Sequence, residues 1–146
     1  MSEADTIHAS AVALNDCGLL ILGPAGSGKS SLAIELIALG AELVADDMVM
    51  LSAKKGALWA EAPIGARGLI EARNVGILPC PLREGAVKLD LVVDLASEET
   101  ERLPFVAFHE HAGAKARLLK KAPSLTAAAL ILALQYDGPI DPDAEE

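Results

Sequence analysis

Gly18-Leu19-Leu20-Ile21-Leu22-Gly23-Pro24-Ala25-Gly26-Ser27-Gly28-Lys29-Ser30-Ser31 reads as an apolar strand, a glycine-rich loop and the opening of a helix. Residues 23–30 fit G-x-x-x-x-G-K-[ST], the phosphate-binding P-loop, in the strand–loop–helix context that the motif requires. Gly23, Gly26 and Gly28 admit backbone angles closed to other residues and let the chain lie against a ligand. The freed N–H groups of the loop, with the positive end of the helix, form a cradle for a di- or triphosphate. The candidate nucleotide-binding set is therefore Gly23, Pro24, Ala25, Gly26, Ser27, Gly28, Lys29, Ser30 and Ser31. Lys29 supplies a mobile positive charge for the outer phosphates. Ser30 supplies a hydroxyl for Mg²⁺, a hard cation that prefers oxygen.

The chain around this loop has 146 residues, which predicts one domain, residues 1–146, with a substantial core. It is 52% hydrophobic but only 3% aromatic, so the core must be built from Ala, Leu, Ile and Val. A net charge of −9 argues against nucleic acid or an anionic membrane as the main partner. Cys17 and Cys80 lack metal-ligand spacing and read as reduced thiols. With no signal peptide and no apolar run long enough for a membrane span, a cytoplasmic location is expected. The acidic tail, residues 139–146, is expected to be flexible.

Residues 6–14 alternate like a strand, and Asn15-Asp16-Cys17-Gly18 is a turn signal before the P-loop strand. That pattern predicts a hairpin placing His8 beside the P-loop strand, in a sheet that is partly antiparallel. Residues 30–39 have helix spacing through Leu32, Leu36 and Leu39, and Gly40 is a stop. Residues 41–45 predict a short strand ending on Asp46-Asp47, and residues 48–61 a second hairpin about Lys54-Lys55-Gly56. A loop bearing Gly65 and Gly68 leads into a short element at 69–73, and Pro79 and Pro81 bracket a break. Residues 87–95 form a strong strand, 97–103 one helical turn, and 105–108 an edge strand. Residues 124–135 are helical with Ser124 as N-cap. The fold class is α/β with a mixed sheet, because a parallel βαβ array needs more crossover helices.

A P-loop specifies a nucleotide, not a reaction. Asp46-Asp47 ends the strand after the P-loop helix, where P-loop proteins place a Mg²⁺-holding aspartate. A second carboxylate beside it suits a proton acceptor for an attacking hydroxyl, and the residues alone leave open which of the two that is. Asp90 and Asp94 compete for the cation-holding role. His8 is a candidate to orient one of these carboxylates. His109-Glu110-His111 alternates both rings onto one face, without a visible third metal ligand. Glu71 and Arg73 share a face of an extended segment, where one can serve a cation and the other phosphate charge.

His8, the P-loop, Val44-Ala45-Asp46-Asp47 and Glu71-Ala72-Arg73-Asn74-Val75-Gly76-Ile77, in this order and spacing, resemble the catalytic domain of the HPr kinase/phosphorylase family. The resemblance runs from about residue 6 to 95. It implies a P-loop mixed sheet like that of phosphoenolpyruvate carboxykinase. It also implies ATP and Mg²⁺ as cofactors, and a serine of HPr or an HPr-like phosphocarrier as the phosphoryl acceptor. By position it implies Lys29 at the phosphates, Ser30, Asp46 and Glu71 as Mg²⁺ ligands, and Asp47 as proton acceptor beside Asp46 and His8. Arg102 is the counterpart of a catalytic arginine, and the assembly implied is a homo-oligomer, typically hexameric. Four departures stand out: the chain leaves no room for an N-terminal domain, Asn74 replaces a signature glycine, the dephosphorylation loop has no clear counterpart, and the C-terminal helical region is reduced to residues 124–135. Kinase activity is thus better supported than phosphorylase activity. The alternatives are a small-molecule kinase or a nucleotide-binding regulatory module without turnover.

Overall fold

A computed structural model describes residues 4–141. Its elements are β1 (Asp5–His8), β2 (Ser10–Leu14), β3 (Cys17–Leu22), α1 (Lys29–Ala38), β4 (Glu42–Ala45), β5 (Met48–Lys54), β6 (Ala57–Glu61), β7 (Leu69–Ala72), β8 (Gly76–Pro79), β9 (Val87–Glu98), β10 (Phe108–His111), β11 (Ala114–Lys121) and α2 (Ala127–Gln135). The main sheet runs β1-β5-β6-β9-β3-β2-β4, with β11 also on β9 and β10 on β11. β3 and β11 lie parallel to β9, and the other pairs are antiparallel. The α/β class with a mixed sheet is therefore found as expected.

The long strand β9 has three partners. Its first residues pair with β6 (Ala60↔Val87, Trp59↔Lys88), and its middle with β3. Its last part pairs with β11 on the edge β6 has left. Gly18 faces Leu89 but Leu19 faces Leu91, so Asp90 is an extra residue, a bulge. The bulge moves the pleat by one: Leu89 and Val92 pack in one core, Leu91 and Val93 in the other. The first core lies inside the curl of the sheet and includes Leu20, Val44, Leu51, Leu58 and Val87. The second lies under the helices and the β7–β8 hairpin, with Leu19, Ile21, Leu36, Leu43, Ile70 and Leu130. The buried apolar side chains are all Ala, Val, Leu or Ile. Each fully buried Leu or Ile contributes about 1.5–3 kcal/mol relative to exposure.

α1 buries Leu32, Ala33 and Leu36, but Leu39 is its C-cap and half exposed, not part of the apolar face. The helix ends in a Schellman motif: Ala41 N–H donates to the Leu36 carbonyl and Gly40 N–H to Ile37, with Gly40 at φ +114°. The loops Lys55-Gly56 and Ala112-Gly113 have positive φ at both residues, the geometry that suits the twist of two-residue hairpins.

Several expectations are corrected. Residues 6–14 form two strands, not one: β1 pairs with β5, while β2 pairs with β3 and β4, so His8 does not lie beside the P-loop strand. The break expected between Pro79 and Pro81 is found, after β8, which pairs with β7 in a separate small sheet. The expected helical turn at 97–103 is instead the end of β9, followed by irregular chain. The edge strand is Phe108–His111 rather than 105–108: it is the first arm of a hairpin closed at Ala112-Gly113, with Phe108 opposite Arg117. α2 starts at Ala127 with Thr126 as N-cap, its side chain accepting from Ala129 N–H at 3.2 Å, rather than at Ser124. Most of the tail expected to be flexible, residues 142–146, lies outside the described residues. No helix among the described residues is long and apolar enough to cross a membrane.

Candidate active site

The P-loop leaves β3 at Gly23 and enters α1 at Lys29. Gly23, Gly26 and Gly28 have φ of +152°, +81° and +102°. Ser27 N–H donates to the Pro24 carbonyl at 3.1 Å and closes the loop. A side chain at Gly23 would collide with Ser27 Oγ and press on Leu95 Cβ, whereas the space beside Gly26 and Gly28 is open. Backbone amides of this kind beside open space, at a helix N-terminus, suit an anion. The buried Ser27 Oγ has no hydrogen-bond partner among the described residues, another feature that fits a loop shaped around a polar ligand. Lys29 folds back over the loop, its Nζ donating to the carbonyls of Gly23 (2.7 Å) and Pro24 (3.1 Å), and is almost wholly buried.

The acidic pair is placed by two matching kinks. β1 gives way to β2 at Ala9, and β4 gives way to β5 at Asp46-Asp47. His8 pairs with Met48 and Ala11 with Ala45, so the kinks lie side by side. Ala9 N–H donates to the Asp47 carbonyl at 3.1 Å and ties them together. Asp47 takes φ +77°, a left-handed conformation that Asp tolerates better than most residues. The two carboxylates then part. Asp46 accepts from Ser10 Oγ at 2.5 Å and from Ser30 Oγ at 3.0 and 3.2 Å. Asp47 lies with Oδ1 2.7 Å from His8 Nε2, and its side chain is 72% exposed.

β7 brings the third group. Ile70 and Ala72 point into the core, so Glu71 and Arg73 point outward together, as their spacing predicts. Asn74 stands at φ +67° in the β7–β8 turn. The position needs a left-handed residue, and Asn fills it where the resembling signature has glycine. His8, Ser10, Lys29, Ser30, Asp46, Asp47, Glu71 and Arg73 line one cavity of about 570 Å³ with Ala25, Gly26, Gly28 and Ser31.

Other candidates lie elsewhere. Arg102 lines a separate cavity of about 280 Å³ with Leu103, Pro104, Arg117 and Leu119, because β9 runs on to Glu98 and carries the following chain toward β11 and α2. Asp94 accepts from Ala96 N–H (2.9 Å) and Ser97 Oγ (3.3 Å), and so binds its own strand end. Asp90 sits at the bulge beside Cys17, whose thiol is pushed up to about 11, first by burial and then by Asp90. Burial also raises the Cys80 thiol, and both cysteines are free. His111 Nε2 lies 2.8 Å from Asp5 Oδ2, joining β10 to β1. Ser10 is the site residue that the sequence reading missed. Its only signal was a lone hydroxyl in the apolar run Ala9-Ser10-Ala11-Val12-Ala13.

A glycine-rich loop between strand and helix, facing an acidic strand end on a curled mixed sheet, defines the class of P-loop folds. Comparison with known proteins narrows the class. The model of the HPr Serine kinase C-terminal domain matches residues 1–104, and the chain belongs to this family. An HPr kinase/phosphorylase of Thermoanaerobacter sp. (strain X514) is 33% identical over 132 residues, 83% of this chain and 42% of that protein. One from Clostridium tetani (strain Massachusetts / E88) is 38% identical over 89 residues, 61% of this chain and 28% of its own length. The chain thus spans less than half the length of the curated relatives it matches. The structure of the Hpr(Ser) kinase/phosphatase from Coxiella burnetii has the same fold: TM-score 0.71, 24% identity, 91% of this chain and 89% of that one covered.

Proposed function

We propose that this chain is an ATP- and Mg²⁺-dependent protein serine kinase that phosphorylates HPr or an HPr-like phosphocarrier. Family membership supports the acceptor, and the cavity supports the chemistry. The observation that carries the reading is the separation of the acidic pair. Asp46 is engaged by two hydroxyl donors facing the P-loop helix, while Asp47 is exposed and touched by His8. On this reading the engaged carboxylate serves the cation and the exposed one accepts a proton.

On this reading the loop amides and Lys29 hold the outer phosphates of ATP. Ser30, Asp46 and Glu71 line the cavity and would hold Mg²⁺, an all-oxygen set that suits a hard cation. Bound Mg²⁺ supplies positive charge against the phosphate oxygens. Asp47 accepts the proton of the incoming serine hydroxyl, and His8 fixes the carboxylate that takes it. Arg73 faces the same cavity and offers a guanidinium for phosphate charge. Arg102 stands too far into the other cavity to be given a part. Catalysis of this kind is mostly positioning and charge stabilisation. The same reading gives a cytoplasmic protein working as a homo-oligomer, which light scattering on the purified chain tests.

The test of activity is incubation with γ-labelled ATP, Mg²⁺ and HPr. Label on a serine of HPr is expected. ATP binding without transfer to HPr overturns the kinase reading in favour of a regulatory module. Label on a small molecule instead favours a metabolite kinase.

A further inference from the structure

The hydroxyl of Ser10 is the least expected contact in the site. Ser10 is 1% exposed, among neighbours Ala9, Ala11, Val12 and Ala13 that are wholly buried. A buried hydroxyl is tolerated when it is hydrogen-bonded, and this one has an ionisable partner, Asp46 Oδ1, at 2.5 Å. Its backbone has little freedom. Ser10 is paired with Ile21 at the end of the P-loop strand, and its neighbour Ala11 is paired with Ala45, the residue before Asp46. The donor is thus fixed to the two strands that carry the P-loop and the acidic pair.

We infer that Ser10 is a positioning residue, whose hydroxyl fixes the Asp46 carboxylate for the cation; the inference rests on the kinase reading above. Asp46 has two hydroxyl neighbours of different standing. Ser30 belongs to the P-loop and is the hydroxyl offered to Mg²⁺. A hydroxyl has one proton to donate and two lone pairs, so Ser30 can donate to Asp46 and still offer a lone pair to a cation. Ser10 lines the same cavity but projects from the sheet rather than the loop, and its bond to Asp46 does not depend on how Ser30 is engaged. Oδ1 accepts from both Ser10 (2.5 Å) and Ser30 (3.0 Å), and Oδ2 from Ser30 alone (3.2 Å), so the sheet-side bond from Ser10 holds the carboxylate in one orientation across the cavity. Losing a partner that orients a ligating carboxylate typically costs about 10–100-fold in metal affinity or activity.

The experiment measures ADP binding by calorimetry across a Mg²⁺ titration, and again in EDTA. In Ser10→Ala the Mg²⁺ concentration at half-saturation should rise about tenfold. Affinity for ADP in EDTA and the melting temperature should stay near those of the native chain, because Ala fits among its alanine neighbours. Ser10→Thr, which restores the hydroxyl, should bring the Mg²⁺ requirement back. Should Ser10→Ala not fold, Ser10→Cys, close in size and a weaker donor, should show the same shift in smaller degree. An unchanged Mg²⁺ half-saturation in Ser10→Ala, with the native chain clearly Mg²⁺-dependent, overturns the role of Ser10 alone. A native chain whose ADP binding ignores Mg²⁺ overturns the Ser10 role and the cation site together.

Discussion

His8 Nε2 and Asp47 Oδ1 lie 2.7 Å apart although 39 positions separate them in the chain. The pairing of β1 with β5 makes this contact, and the bond from Ala9 N–H to the Asp47 carbonyl holds it. Asp47→Asn keeps the shape and removes the basic oxygen. Transfer to HPr should fall by about 100-fold or more, with ATP affinity little changed. His8→Asn should lower the rate by less, since it removes the support and leaves the acceptor. Initial rates against ATP and HPr, set beside direct ATP binding, check both.

Lys29 carries the one cationic side chain that is buried in the P-loop, anchored to the carbonyls of Gly23 and Pro24. Lys29→Met keeps the apolar stem and removes the charge. Phosphoryl transfer should drop on the order of 100-fold or more, and ADP affinity should fall with it. A circular dichroism spectrum like that of the native chain would show that the sheet remains intact.

Gly18 lets β3 approach β9 at the bulge. A Cβ there would come within 2.8 Å of both the Lys88 carbonyl and Val87 Cγ1. Backbone cannot rotate away as a flexible side chain does, so Gly18→Ala should destabilise the fold by about 1–3 kcal/mol. Urea unfolding should show a lower midpoint with an unchanged slope.

Cys17 should resist alkylation at neutral pH. With its thiol pushed up to about 11, the reactive thiolate at pH 8 is about a hundredfold scarcer than for an ordinary cysteine. Iodoacetamide labelling, mapped by mass spectrometry, should rise steeply only toward pH 11. The unfolded chain loses this proton first as the pH climbs. The contribution to stability is therefore complete below about pH 8.5 and is lost as the pH rises through the folded value. Faster labelling of Cys17 than of free cysteine at pH 8 would contradict its burial.

Much of the site was legible because its motifs are local. The glycines, Lys29 and Ser30 are consecutive, and their backbone roles need no distant partner. Glu71 and Arg73 share a face through the period of two of an extended strand, readable from four residues. The elements that escaped the reading have weak local signals. β11 buries only the small side chains Ala114 and Ala116 at its start, on either side of Lys115 and followed by Arg117. β8 is short and ends on Pro79, the first of the two prolines that bracket a break, and so gives no strand signal of its own. Arg102 was matched by position along the chain, and the extension of β9 to Glu98 sends that segment elsewhere.

The amino-acid order by itself determined the P-loop, the hairpins around turn residues and the aromatic-poor core, since each depends on neighbours in the chain or on composition. Tertiary structure alone decided how the acidic pair divides. Adjacent aspartates are equivalent in sequence, and only the break of residues 6–14 into strands with different partners sets Ser10 against Asp46 and His8 against Asp47. Strand pairing over long separations is chosen by the whole sheet, so the distinction belongs to the fold and not to the local stretch.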